Sequence, residues 1–182
     1  MSRAFVKEPD AGAPGEGLPE RPISEHPNYV TPRGLRLLRE KVGELETRRL
    51  ELLERLERED DALAREELAY VDRDLRYYTA RLESAIPVDL RRQPRRMVKF
   101  GARVTVRQDD GQRRTFTIVG EDEADPNDGR ISYVSPLARA LLDARLGQSV
   151  VWRRPAGPRT LTVEAIEYPE DELDGDEGGG AG

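Results

Sequence analysis

Glu59, Asp60 and Asp61 stand together in the chain, and Glu66 and Glu67 follow five residues later. Carboxylates offer hard oxygen atoms to a cation; the plain alternative for this cluster is a solvated helix reversal. A second group is Arg91-Arg92-Gln93-Pro94-Arg95-Arg96, a basic run with a helix breaker inside. Runs of this kind contact phosphate, which makes Arg91, Arg92, Arg95 and Arg96 candidate contacts for RNA or DNA, with a solvated hinge as the alternative. The chain has no Cys, so disulfides, thiol catalysis and Cys-ligated zinc are excluded. Its single His, His26, lies in a Pro- and Gly-rich arm and reads as a solvated residue, not as a general base or metal ligand.

The acidic cluster must be positioned by the stretch Leu35 to Ala85, which reads as a helical hairpin. Leu38, Val42, Leu45, Leu52 and Leu56 are spaced 4, 3, 7 and 4 residues apart, with one polar gap at Arg49. Leu68, Val71, Leu75, Tyr78, Leu82 and Ala85 are spaced 3, 4, 3, 4 and 3 apart. A 3.5-residue apolar period lays a seam along one side of a helix, and a seam needs a partner. Two seams about a dozen residues apart most simply fold back on each other. No Gly or Pro interrupts Glu57 to Glu67, so the reversal is expected near Asp60 to Ala62, with Glu59, Asp60 and Asp61 at the distal end. Thr31 is the expected N-cap of the first helix and Pro32 its first residue. The Glu and Arg residues between Glu44 and Arg58 are expected to form i,i+4 pairs on solvated faces. Pro87 is expected to end the second helix.

The 182 residues are enough for one domain or two small ones. Charged and hydrophobic residues each make up 36%, as expected when part of the chain is a thin, mostly solvated hairpin. From Val98 the apolar period changes to 2, through Phe100, Ala102, Val104 and Val106, then Phe116 and Ile118, with Asp109-Asp110-Gly111 as a hairpin turn. Ile131 to Val134, Val150 to Trp152 and Thr160 to Ile166 add strands. Ser135-Pro136 starts a short helix with Leu137, Ala140, Leu141 and Ala144 on one face, ended by Gly147. The fold class is α+β, an N-terminal antiparallel coiled-coil hairpin followed by an antiparallel sheet with one short helix. The expected organisation is a disordered N-terminal arm (1–28), the hairpin (29–86), a basic linker (87–97), a C-terminal domain (98–168) and an acidic disordered tail (169–182). The tail carries as many negative charges as the whole formal excess of -6, so the rest is close to neutral. No apolar run approaches the roughly 20 residues that span a bilayer, and the N-terminus lacks a signal-peptide core. A cytoplasmic protein with no membrane partner is expected.

Three blocks in the second half belong together: Ile118-Val119-Gly120-Glu121-Asp122-Glu123-Ala124-Asp125, Gly129-Arg130-Ile131-Ser132 and Ser135-Pro136-Leu137-Ala138-Arg139-Ala140-Leu141. Phe100 to Val106 precedes them and Tyr29-Val30-Thr31-Pro32-Arg33-Gly34-Leu35 opens the hairpin. In this order they resemble the GreA/GreB transcript cleavage factors over about residues 29 to 168, and Met1-Ser2-Arg3-Ala4-Phe5 is similar to a GreB opening.

The resemblance implies an FKBP-like C-terminal domain docked at the rim of the secondary channel of bacterial RNA polymerase. Ser135, Pro136, Leu137 and Ala138 are then the polymerase-binding residues, with Asp122 and Glu123 as further surface contacts. It also implies that the coiled coil enters the channel and that acidic tip residues help hold a second Mg²⁺ in the polymerase active site. Mg²⁺ keeps several waters, so one or two protein carboxylates suffice. Asp60 and Asp61 are the expected ligands, assisted by Glu59 or Glu66. Mg²⁺ would be shared with the polymerase and no cofactor bound stably. The chain is then an accessory elongation factor, not an enzyme, that promotes cleavage of backtracked transcript as a monomer, with nascent RNA as a contact of the basic run.

The sequence departs from the family at the tip. The Asp-Leu-x-Glu-Asn-x-Glu-Tyr type motif is absent, and the hairpin is shorter by roughly ten residues, which at about 1.5 Å per residue draws the tip back by roughly 8 Å. A second reading is therefore a non-cleaving channel occupant similar to the Rnk proteins, competing with Gre factors. A third is an FKBP-type peptidyl-prolyl isomerase. That activity needs an aromatic-lined pocket, whereas Phe100, Phe116, Tyr133, Trp152 and Tyr168 are expected at strand positions as core.

Overall fold

A computed structural model describes residues 17–169. The expectations for residues 1–16 and 170–182, most of the arm and tail, lie outside the described residues. The described chain divides into two compact units, residues 17–23 with Lys41–Ala80, and Ser24–Glu40 with residues 81–169. Helix α1 (Pro32–Arg58) and helix α2 (Ala62–Glu83) contribute to both.

In the first unit α1 and α2 form the expected hairpin. Leu45, Leu52, Ala64 and Val71 are its buried core, with Leu56, Leu68, Leu75 and Tyr78 packed against them. The polar gap in the α1 stripe is closed across the hairpin, because Arg49 Nε donates to Asp72 Oδ1 at 2.8 Å. Arg48 likewise grips Glu67 with two hydrogen bonds of 2.7 and 2.9 Å. Some outer charges do pair along one helix, as Arg55 with Glu59 and Arg58 with Glu54. The Arg48–Glu67 and Arg49–Asp72 pairs, however, run from one helix to the other, which a single-helix reading of the charges does not anticipate.

The arm expected to be disordered through residue 28 is corrected from Glu20 onward. Residues 17–27 contain no helix or strand, yet Arg76 Nη2 donates to Glu20 Oε1 at 2.6 Å. The Arg21 guanidinium lies 4.0 Å from the Tyr77 ring centre and 3.5 Å from Asp74. Side-chain stacking and ion pairing leave no apolar period in the sequence, which is why this docking was not legible there.

The second unit holds a five-stranded sheet. Its strands are β3 (Arg103–Gln108), β4 (Arg113–Val119), β5 (Arg130–Ser132), β6 (Ser149–Trp152) and β7 (Arg159–Glu167), in the order β5-β4-β3-β7-β6. It is largely antiparallel, as expected, but β4 and β5 run parallel. Gly111, at φ 83°, makes the β3–β4 turn; that left-handed conformation suits glycine. Val98, Val104, Val106, Ile118, Leu141 and Val163 form the core with no more than trace exposure, and Trp152, Tyr133 and Tyr168 pack against it. A short helix, α3 (Pro136–Leu141), covers it. The helix is shorter than expected: it stops before Ala144, which is nonetheless buried, and Gly147 lies in the following loop. Two small strands, β1 (Tyr29–Val30) and β2 (Ile86–Pro87), pair in parallel, so Pro87 lies in a strand and α2 ends before it.

The segment 87–97, expected as a linker, is instead folded into this unit. Leu90 is buried in a 3-10 turn, and a Cβ on Gly101 would sit 2.2 Å from its Cδ2. Gln93 Nε2 donates to Phe100 O at 3.0 Å. The Tyr168 hydroxyl donates to Met97 O at 2.6 Å and accepts from Lys99 N at 2.9 Å. Burial pushes that hydroxyl's pKa up.

Candidate functional site

The acidic tip is built by the end of α1 and the start of α2. Arg58 closes α1 and Ala62 opens α2, so Glu59, Asp60 and Asp61 form the reversal itself, as expected. They are not equivalent. Asp61 Oδ1 accepts hydrogen bonds from Leu63 N at 2.9 Å and Ala64 N at 3.0 Å, which makes it the N-cap of α2. Arg55 also binds its other oxygen. The bond from Ala64 N, followed by the Arg55 charge, holds the Asp61 carboxyl below the usual carboxylate range. Asp60 pairs with Arg65 and keeps 84% of its side chain exposed. Glu59 accepts from Arg55 Nε at 3.2 Å with 61% exposed. Among the described residues no group of three or more His, Asp or Glu side chains gathers as a metal site. Two exposed carboxylates on one turn suit a hard cation whose remaining ligands come from elsewhere.

Asp122 and Glu123 were expected as surface contacts, and the second unit corrects this for Glu123, which is buried, whereas Asp122 stays exposed as a residue. Both are in a 3-10 turn, Glu121–Glu123, in which Glu123 is the buried residue and all three carboxylates pair with arginines of this unit. Glu123, 7% exposed, accepts from Thr31 Oγ1 at 2.6 Å, Arg33 Nη1 at 3.2 Å and Arg130 Nη1 at 3.5 Å. Asp122 accepts from Arg81 Nε at 2.6 Å. Arg81 is only 2% exposed and also donates to Asn28 Oδ1 at 2.8 Å, while Asn28 Nδ2 donates to Arg81 O at 2.7 Å. Glu121 Oε2 is buried without a hydrogen bond to another described group and lies 3.7 Å from Arg81 Nη2. A run of three acids reads as solvated because two of its cations, Arg81 and Arg33, come from residues 40 to 90 positions away. Thr31 carried a helix-cap signal; Asn28 and Arg81 carried none.

Of the four motif residues at α3, Ser135 Oγ accepts from Ala138 N at 3.2 Å and so caps the helix. Leu137 and Ala138 are buried in the core. Pro136 and Arg139 are the exposed members of this turn.

The basic run is divided by its partners. Arg91 Nε donates to Asp89 Oδ1 at 3.1 Å and Arg92 lies 3.6 Å from Asp89 Oδ2. The bonds from Arg91 lower the Asp89 carboxyl's pKa. Arg96 faces the Arg145 segment: Leu146 N donates to Arg96 O at 3.0 Å, and Met97 bridges Arg145 in antiparallel fashion.

Comparison with known proteins places these features in a wider set. Residues 93–168 match the family described as transcription elongation factor GreA/GreB, C-terminal. The chain is 36% identical over 157 residues to transcription elongation factor GreB of Neisseria meningitidis serogroup B, covering 80% of this chain and 96% of that protein. It is 33% identical over 152 residues to transcription elongation factor GreA of Francisella philomiragia, covering 76% of this chain and 95% of that protein. Among solved structures, the Gfh1 protein of Thermus thermophilus matches with 22% identity and a TM-score of 0.37 over 78% of this chain and 99% of that one.

Proposed function

Because the chain belongs to the GreA/GreB family of transcription elongation factors, we propose that it binds bacterial RNA polymerase at the secondary channel and promotes cleavage of backtracked transcript. The observation that carries this reading is the exposure of Glu59 and Asp60 at the α1–α2 reversal. Asp61 is committed to capping α2, so the division of labour differs from the sequence expectation. Asp60 and Glu59 offer oxygens to the Mg²⁺, and Asp61 fixes the turn that presents them. Arg65 and Arg55 neutralise the tip before it engages. Exposed arginine–carboxylate pairs hold weakly, so a divalent cation displaces them readily. When bound, Mg²⁺ supplies the second metal of a two-metal phosphodiester hydrolysis. The factor turns over no substrate of its own and works as a cytoplasmic monomer on the polymerase. No helix among the described residues is long and apolar enough to cross a membrane.

A second reading is favoured by the same pairs. With each tip carboxylate bound to an arginine, the hairpin suits a non-cleaving channel occupant that competes with cleavage-active Gre factors.

The test adds the protein and Mg²⁺ to a backtracked elongation complex and follows the RNA 3′ end, with Glu59→Gln/Asp60→Asn alongside. Short 3′ fragments from the wild type and none from the variant support cleavage with these ligands. Binding to polymerase without fragments, together with inhibition of an added Gre factor, establishes the competitor instead.

A further inference from the structure

We propose that the cleft between Arg96 and Arg145 binds the phosphodiester backbone of a nucleic-acid strand. The cleft has a volume of about 390 Å³ and is lined by Pro94, Arg96, Met97, Arg145 and Leu146. Its two arginines issue from hydrogen-bonded neighbouring segments, through the Met97–Arg145 bridge and the Leu146 N to Arg96 O bond of 3.0 Å. Their backbones are therefore fixed side by side.

The charge on these two arginines is uncompensated. The domain pairs Arg91 and Arg92 with Asp89, and Arg107 and Arg113 with Glu164. Among the described residues neither Arg96 nor Arg145 has such a carboxylate partner. Asp143, the acid two positions before Arg145, is held by Lys99. The guanidinium fork matches the oxygens of a phosphate.

The rest of the lining selects the class of anion. Pro94, Met97 and Leu146, the last 37% exposed, give an apolar floor beside the two cations. A sugar or base face fits such a floor while the phosphates meet the two cations. The structure thus moves the nucleic-acid contact away from Arg91 and Arg92 and adds Arg145, a residue outside the basic run. The proposal does not depend on polymerase binding.

The test is fluorescence anisotropy of the full chain with a labelled single-stranded RNA of about 12 nucleotides, a length within known single-strand site sizes. Binding is measured between about 50 and 200 mM salt, where each phosphate contact to a single strand contributes about 0.7 to the slope of log K against log salt. Arg96→Gln/Arg145→Gln should lower that slope by about 1.4 and weaken binding about tenfold or more at the lower salt. Arg91→Gln/Arg92→Gln removes the same net charge and should change the slope far less. Circular dichroism checks that the fold is retained, as expected for exposed side chains. Absence of RNA binding by the wild type overturns the proposal, as does equal loss in both double variants. Displacement of the RNA by micromolar inorganic phosphate or uridine monophosphate would show a small-anion site. Displacement by poly-glutamate at equal charge would show a protein-docking surface. Either result rejects the strand-binding assignment.

Discussion

Thr31 and Glu123 lie 92 residues apart and are joined by a hydrogen bond of 2.6 Å. The same Thr31 oxygen accepts from Gly34 N at 2.9 Å. One buried hydroxyl therefore caps α1 and satisfies a buried carboxylate at once. Burying a carboxylate is tolerable only while its hydrogen bonds are made. Thr31→Val keeps the shape but ends both bonds, and should cost about 2 kcal/mol, combining a lost cap with a poorly satisfied buried acid. Thr31→Ser keeps the oxygen and should cost less than about 1 kcal/mol. Urea unfolding of the two variants checks this; equal midpoints would remove the dual role.

Arg81 is nearly completely buried among Asp122, Glu121 and Asn28. Arg81→Met leaves these acids without their cation, and removing one partner of a buried pair typically costs about 3–5 kcal/mol. Arg81→Lys should recover little, because an ammonium cannot reproduce a guanidinium fork that reaches Asp122 and Asn28 together. Thermal unfolding of both variants decides it. A fully stable Arg81→Lys would mean that charge alone, without the fork geometry, holds the network.

The Asp61 carboxyl is held low by the α2 backbone and by Arg55. A group whose pKa is depressed on folding adds stability above its unfolded value, about 3.9, and that stability is lost as the pH falls through the folded value. Amide-exchange protection of the first turn of α2 should therefore be constant from neutral pH down to about 5 and fall below about 4. Asp61→Asn keeps a capping oxygen and removes the titration, so its protection should be flat over that range. The same fall in the Asn variant would assign the loss to other acids.

Gly120 is required for a close approach. A Cβ there would sit 2.4 Å from Tyr29 O, a backbone atom that cannot rotate aside. The Tyr29 ring belongs to a cluster, 5.5 Å from Tyr133 and 5.9 Å from Phe100. Gly120→Ala should cost about 1–3 kcal/mol through overpacking and should alter the near-ultraviolet tyrosine signal as β1 shifts. A variant with wild-type stability and spectrum would show that this contact is loose.

The hairpin was legible in the sequence because its energetics are periodic. Leu45, Leu52 and Val71 recur at seam positions, and the chain between them lacks Gly and Pro. The reversal at Glu59 to Asp61 followed from the same pattern. The strands from Arg103 to Glu167 were legible from alternation and from Gly111. What the sequence did not reveal is the fate of its charges. Asp122 and Glu123 look like any solvated acidic run until Arg81, Thr31 and Arg33 are brought to them. Arg91 and Arg96 look alike until Asp89 takes one and the other meets the Arg145 segment. Glu20 and Arg21 looked disordered because stacking on Tyr77 and pairing with Arg76 have no period.

By itself the sequence determined the two helices of the hairpin and the alternating strands of the second half, where the acidic tip falls and which family the chain resembles. These depend on local spacing and on ordered blocks of residues. Only the tertiary structure decided which acids and arginines are neutralised, which are buried and which still face solvent. A charge's worth depends on distance and desolvation, and for Glu123 and Arg81 both are set by partners far away in the chain.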